Sequence, residues 1–198
     1  MQPKVYDPLS YENLANSVVN ALMGEEPAPL PPPEPFPGSG VYAIFYVGQF
    51  SPYLAASDSE CKRPIYVGKA VPAGGRKGKS LEKEGTGNPL YARLIEHAVT
   101  IDQSHNLDVA DFRCRFLVVV PVWISLAERF LISHYRPLWN VLLDGFGNHD
   151  PGRGRRNMRR PLWDIIHPGR PWAQRLKATS TPNELTEQIK AFFSSQAR

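Results

Sequence analysis

Cysteine is almost missing from this chain: Cys61 and Cys114 are the only two among 198 residues. Neither sits in a CxxC pair, which speaks against a disulfide framework and against a zinc site. Cys114 lies in an alternating apolar pattern and reads as a small core residue. Long hydrophobic runs are missing too. No stretch approaches the ~20 apolar residues needed to cross a bilayer, and the N-terminus has no basic region followed by an apolar one. The expectation is a soluble, reduced, cytoplasmic protein. Charge of neither sign is scarce: 23 Lys and Arg stand against 19 Asp and Glu, a net of +4. That excess permits a nucleic-acid partner without demonstrating one. The hydrophobic fraction of 42% and charged fraction of 21% are those of an ordinary globular chain, whose length suits one domain with a real core better than two.

What is present is unevenly placed. Arg153, Arg155, Arg156, Arg159, Arg160, Arg170, Arg175 and Lys177 share their segment with one acid, Asp164. Lys62, Arg63, Lys69, Arg76, Lys77, Lys79 and Lys83 share theirs with Glu82 alone. A surface that meets phosphates has this composition. Proline is concentrated as well, at positions 27, 29, 31, 32, 33, 35 and 37. Such a run is extended and stiff and cannot enter a sheet interior. It reads as an arm strapped across the domain surface, or a linker, in preference to a ligand for a proline-reading domain.

Periodicity predicts the elements. Residues 10–23 form an amphipathic helix capped by Ser10, with Leu14, Val18 and Leu22 at helical spacing and Gly24 as the stop. Residues 40–47 and 64–70 read as strands, rich in β-branched and aromatic types. Residues 71–87 hold five glycines and read as a loop. Asn88-Pro89 offers a cap and a first-turn proline for a helix whose apolar stripe is Leu90, Leu94, Ala98 and Ile101. Residues 112–120 alternate as a core strand, 125–135 read as a helix that stops before Pro137, and 182–194 as a last amphipathic helix with Leu185, Ile189 and Phe192/Phe193 on its buried side. No internal repeat is visible. Three strands with helices around them make a small mixed α/β (α+β) domain.

Phosphodiester cleavage needs an activated water, positive charge on the nonbridging oxygens and stabilisation of the leaving alkoxide. The chain offers a candidate for each. Tyr42 and Tyr66 read singly as packed strand aromatics. Lys69, at the end of the second strand, could favour a phenolate by charge pairing and make tyrosine a feasible base. Arg93 can fork onto a phosphate, or spend its charge on a salt bridge with Glu96 or Glu84. His97, one turn on, shares a non-core face with Arg93 and could accept or relay a proton. Glu128 could ligate a hard divalent cation such as Mg²⁺. It also closes Ser125-Leu-Ala-Glu128, a capping-box pattern in which it folds back onto a helix start. Asn140 could position Tyr42 or a phosphate, or simply turn the chain.

In their order these residues carry a resemblance. Gly40-Val41-Tyr42 and Tyr66-Val67-Gly68 resemble the two signature elements of the GIY-YIG nucleases, with Val for Ile at both central positions. Arg93, His97, Glu128 and Asn140 fall in order on that family's remaining active-site positions, over roughly residues 38–142. The strings Arg63 to Arg76 and Tyr91 to His97 are similar to a narrower branch, the prokaryotic type II restriction endonucleases that cut the palindrome CCGCGG. The resemblance implies a three-stranded antiparallel sheet flanked by helices as a nuclease core over 38–142. Residues 1–37 would be an N-terminal helix and arm, and 143–198 a basic extension and C-terminal helix, in one compact domain. It implies Tyr42 as general base assisted by His97 or Lys69, and Arg93 on the pentavalent phosphorane. Glu128 would hold one Mg²⁺ (or Mn²⁺), and Tyr66 and Asn140 would orient groups at the scissile phosphate.

Base reading and phosphate contact would fall to Lys69, Arg76, Lys77, Lys79, Arg153, Arg155, Arg156, Arg159 and Arg160. A palindromic site implies a homodimer on double-stranded DNA, with a cognate DNA methyltransferase in the same cell. The terminal helices could form that interface or pack on their own domain. The competing expectations are a repair or mobile-element nuclease on the same core, a DNA-binding module without catalysis, and an HNH-type site on His149, Asn157 and His167.

Overall fold

The structure is a computed structural model that describes residues 9–71, 87–152 and 158–196. The predicted mixed α/β architecture is found. Its sheet has four antiparallel strands rather than three: β1 (Ala28–Pro29), β2 (Gly40–Tyr46), β3 (Tyr66–Ala70) and β4 (Phe112–Val118), ordered β1-β4-β2-β3. The added strand comes from the proline run. Ala28 and Pro29 pair with Cys114 and Arg113 at the sheet edge, the place in a sheet where proline is tolerated. The arm then lies on the domain, with Leu30 buried and the Phe36 ring stacked 4.1 Å from Phe116.

β2 is central and buried at all seven positions, so its sequence reads as a continuous apolar run. Alternation divides it between two cores. Val41, Ala43 and Phe45 face α1 (Tyr11–Gly24) and α3 (Pro121–Tyr135), packing on Val19, Leu22, Ile124, Ala127 and Leu131. Tyr42, Ile44 and Tyr46 face α2 (Pro89–Asp102) and the C-terminal half of the chain. That half contributes the short helices α4 (Leu138–Val141), α5 (Leu162–Ile166) and α6 (Pro171–Gln174), then α7 (Pro182–Gln196). Both terminal helices bury their apolar stripes within the chain: Val19 and Leu22 of α1 under the sheet, Leu185 and Ile189 of α7 in the opposite core. The cysteines are free and buried, Cys114 in one core and Cys61 in the other. No helix among the described residues is long and apolar enough to cross a membrane.

Three local expectations are corrected. α3 begins at Pro121, not near Ser125. Proline suits the first helical position, where its missing N–H has no partner to lose. Ser125 and Glu128 therefore lie inside the helix, and the expected capping box is not there. Asn88 does precede α2, but its side chain makes no capping hydrogen bond. The box that does form belongs to α7: Thr181 Oγ1 accepts from Glu184 N–H (3.3 Å), and Thr181 N–H donates to Glu184 Oε2 (2.9 Å).

Candidate active site

The antiparallel register places Tyr42 opposite Gly68 and Ile44 opposite Tyr66. Cross-strand partners share a face, so both tyrosines project toward α2, with ring centroids 6.2 Å apart. A Cβ on Gly68 would lie 2.3 Å from the Tyr42 hydroxyl. The glycine of the second motif is thus the space occupied by the tyrosine of the first.

α2 delivers the next two residues. Arg93 and His97 are one turn apart and reach the same tyrosine pair. His97 is not on a solvated face, as the sequence suggested; it joins the buried stripe at 1% exposure. Its Nε2 lies 2.5 Å from the Tyr42 hydroxyl, and its ring stacks on Phe146 at 4.6 Å and 15°. Burial first, then the Arg93 charge, holds the imidazole pKa well below its ordinary value, so His97 is neutral. Burial first, then Tyr66, raises the Tyr42 phenol well above its ordinary value. Two neutral groups joined by one short hydrogen bond can pass a proton between them, provided that the phenol gains one from elsewhere.

Arg93 is partly occupied. Its Nη1 pairs with Glu96 Oε2 at 2.6 Å, as the salt-bridge alternative anticipated, and donates to His149 Nε2 at 2.9 Å; Nη2 donates to Gly147 O at 2.9 Å. Its charge opposes the rise that burial imposes on Tyr66.

Lys69 is not where the expectation put it. It follows Val67 in alternation and so faces α3, not Tyr42. Its ammonium pairs with Glu128 Oε2 at 2.7 Å and donates to Ser125 Oγ at 3.3 Å. No phenolate results beside it: burial raises the Tyr66 pKa, and the nearby Glu128 charge adds to that rise. Freed from any capping role, Glu128 keeps a carboxylate 20% exposed at the border of the site. Among the described residues no group of three or more His, Cys, Asp and Glu could hold a metal. A single carboxylate still fits a hard cation that takes most of its shell from water and phosphate, once Lys69 yields it.

Asn140 is hydrogen-bonded to Val67 rather than to Tyr42. Its amide is spent on β3: Oδ1 accepts from Val67 N–H and Nδ2 donates to Val67 O, both at 2.8 Å. Trp139 N–H adds a bond to Ile65 O at 3.0 Å. The start of α4 thus finishes the open edge of the strand that carries Tyr66, which makes Asn140 a positioning residue.

The basic segments divide. Arg76, Lys77, Lys79, Arg153, Arg155 and Arg156 lie outside the described residues. Arg159 is exposed at the mouth of a cavity of about 370 Å³ lined also by Asn148, His149, Asp150 and Trp172. Arg160 spends its guanidinium on the carbonyls of Ala173 and Gln174. Arg170, counted above with the phosphate-facing bases, is 2% exposed and paired with Asp164 at 2.5 Å. Of the HNH alternative's residues, Asn157 lies outside the described residues, and the two histidines are not brought together. His167 is fully buried between Tyr53 and Asn106 Oδ1, while His149 is exposed beside Arg93.

Sequence reasoning missed Gly147 and Phe146. They line the site from a stretch whose only visible signal was its glycines, Gly145 and Gly147.

No curated protein matches the chain. The family model described as the Eco29kI GIY-YIG domain matches residues 34–193, from the arm almost to the end of α7. That span takes in both tyrosine motifs and every side chain of the Tyr42 cluster, so the chain belongs to the Eco29kI GIY-YIG family of type II restriction endonucleases and is a DNA nuclease by membership.

Proposed function

We propose that the protein is a Mg²⁺-dependent, site-specific endonuclease that hydrolyses double-stranded DNA at a short GC-rich palindrome, CCGCGG, with Tyr42 as the general base. The observation that carries the mechanism is the 2.5 Å contact between the Tyr42 hydroxyl and His97 Nε2. A phenol whose pKa is raised by burial cannot serve as a base by ionising. It can serve by relay. As water loses a proton to Tyr42 Oη, Tyr42 passes its own proton to the neutral imidazole of His97. The water oxygen bonds to phosphorus, and the bond from phosphorus to the leaving oxygen breaks. Arg93 exchanges Glu96 for the phosphate and spreads its charge over the nonbridging oxygens. Mg²⁺ (or Mn²⁺), held by Glu128, would stabilise the charge on the leaving oxygen. Asn140 holds β3, and hence Tyr66, in register.

A palindrome has two equivalent strands, which favours a homodimer with one site per strand. A cytoplasmic enzyme of this kind needs a partner methyltransferase to protect host DNA, without direct contact. Digestion of a fully sequenced plasmid by purified protein with Mg²⁺ tests the reading, with EDTA, Tyr42→Phe and Glu128→Ala as controls. Discrete fragments ending at CCGCGG are expected, lost in all three controls. A smear, or preference for branched DNA, would replace this reading with a repair-type nuclease.

A further inference from the structure

Arg170 is a buried cation with all five donors used. Nε and Nη2 grip Asp164 Oδ1 (2.6 Å) and Oδ2 (2.5 Å). The other three hydrogen bonds go to backbone carbonyls of one short stretch: Gly145 O (2.9 Å), Phe146 O (3.1 Å) and Asn148 O (2.9 Å). The guanidinium lies between two indoles, 4.9 Å from the Trp163 ring centroid and 4.7 Å from that of Trp172. Such a pair adds little net stability, because desolvation cancels most of the attraction. What it does is specify geometry: three carbonyls must converge on one planar fork.

Those carbonyls belong to the wall of the site. Phe146 stacks on His97 and meets the Tyr66 ring edge-on at 5.0 Å and 77°. Gly147 O accepts from Arg93, and a Cβ at Gly147 would come within 2.9 Å of both Arg93 Nη2 and the Tyr66 hydroxyl. The stretch therefore touches three side chains of the site from one side and Arg170 from the other.

We propose that Arg170 is a positioning residue of this nuclease, which acts through residues 145–148 to fix the Arg93 guanidinium and the His97 ring against Tyr42. The inference rests on the relay reading above. The charged and titratable groups that face His97 are Arg93, His149, Arg170, Tyr42 and Tyr66. Loosening the stretch would admit water to His97 and shift the acid limb of the rate profile upward. A role confined to core stability would lower the amount of folded enzyme and leave that limb in place.

The experiment uses full-length protein and compares wild type, Arg170→Lys and Gly147→Ala. Lysine keeps the charge beside Asp164 but has three donors where five bonds are needed, so it cannot hold Asp164 and all three carbonyls together. Gly147→Ala leaves the buried pair intact and presses the stretch against both Arg93 and the Tyr66 hydroxyl, so it tests whether residues 145–148 set the site if Arg170→Lys does not fold. Single-turnover cleavage is measured across pH, and DNA affinity separately in EDTA. Both folded variants are expected to bind DNA as wild type does and to cut roughly 100-fold more slowly, the scale of a small misplacement of catalytic groups. Arg170→Lys should also raise the acid limb. A wild-type cleavage rate in Gly147→Ala, or in folded Arg170→Lys, overturns the inference while the relay reading stands. Failure of wild type to cut any DNA overturns both.

Discussion

Gly68 and Tyr42 solve one problem of space between them. The phenol ends where the Gly68 side chain would begin, so Gly68→Ala must tilt the ring away from His97 or part the two strands. With backbone on one side and a packed core on the other, overpacking of this kind costs about 1–3 kcal/mol. The expected result is a folded, less stable protein with cleavage lost well beyond the stability change, read by melting and by plasmid digestion. Wild-type cleavage in Gly68→Ala would show that the ring position is not critical. Glu128 makes the opposite case, a residue whose loss should spare the fold. It lies inside α3, and its ion pair with Lys69 is partly exposed. Such pairs contribute at most about 1 kcal/mol. Glu128→Ala should melt close to wild type and still bind DNA, but not cut it. A large drop in melting temperature would return Glu128 to a structural role. Tyr42, Tyr66, Arg93 and His97 were legible as a set because family order names them. The roles of Lys69 and Asn140 were not, because strand alternation and an edge hydrogen bond decide them.

Ser125 to Glu128 and Thr181 to Glu184 match the same helix-start pattern, and of these two only the second caps a helix. The difference lies in the prolines. Pro182 follows its Thr directly and sits at the first helical position, whereas Pro121 starts α3 a full turn before Ser125. Thr181→Ala should therefore cost about 1 kcal/mol in denaturant unfolding, the usual worth of a cap, while Ser125→Ala, mid-helix, should change little. Equal losses would contradict the α3 boundary. The strands were legible where composition or alternation marks them, as in β2, β3 and β4. β1 was hidden because a two-residue edge strand within a proline run has no periodicity to read; it exists because β4 offers an open edge. The same need at the far edge of the sheet is met by the Asn140 amide rather than by a strand, which no pattern of apolar residues announces.

Across the whole molecule, two buried histidines set the response to acid. Burial lowers the His167 pKa from 6.5 to about 3, and His97 moves in the same direction. The unfolded chain binds these protons at a higher pH than the folded one, so stability falls as pH drops below the ordinary histidine value, for His167 from 6.5 toward about 3, and His97 adds to the loss in the same direction. The slope should approach about 1.4 kcal/mol per pH unit for each histidine. Urea unfolding at a series of pH values checks this, and a flat profile would mean that the rings are not held neutral. At this scale the sequence misled through charge: Arg170 counts as a base but serves as internal scaffolding, because burial is invisible in a tally of charges. β2, finally, carries the proposed base in the middle of the sheet, buried on both faces and paired on both sides. Its amides should exchange with deuterium only when the whole molecule opens. Activity then has no fraying intermediate through which to decline, and thermal inactivation should superimpose on global unfolding, leaving an enzyme that is either fully competent or fully lost.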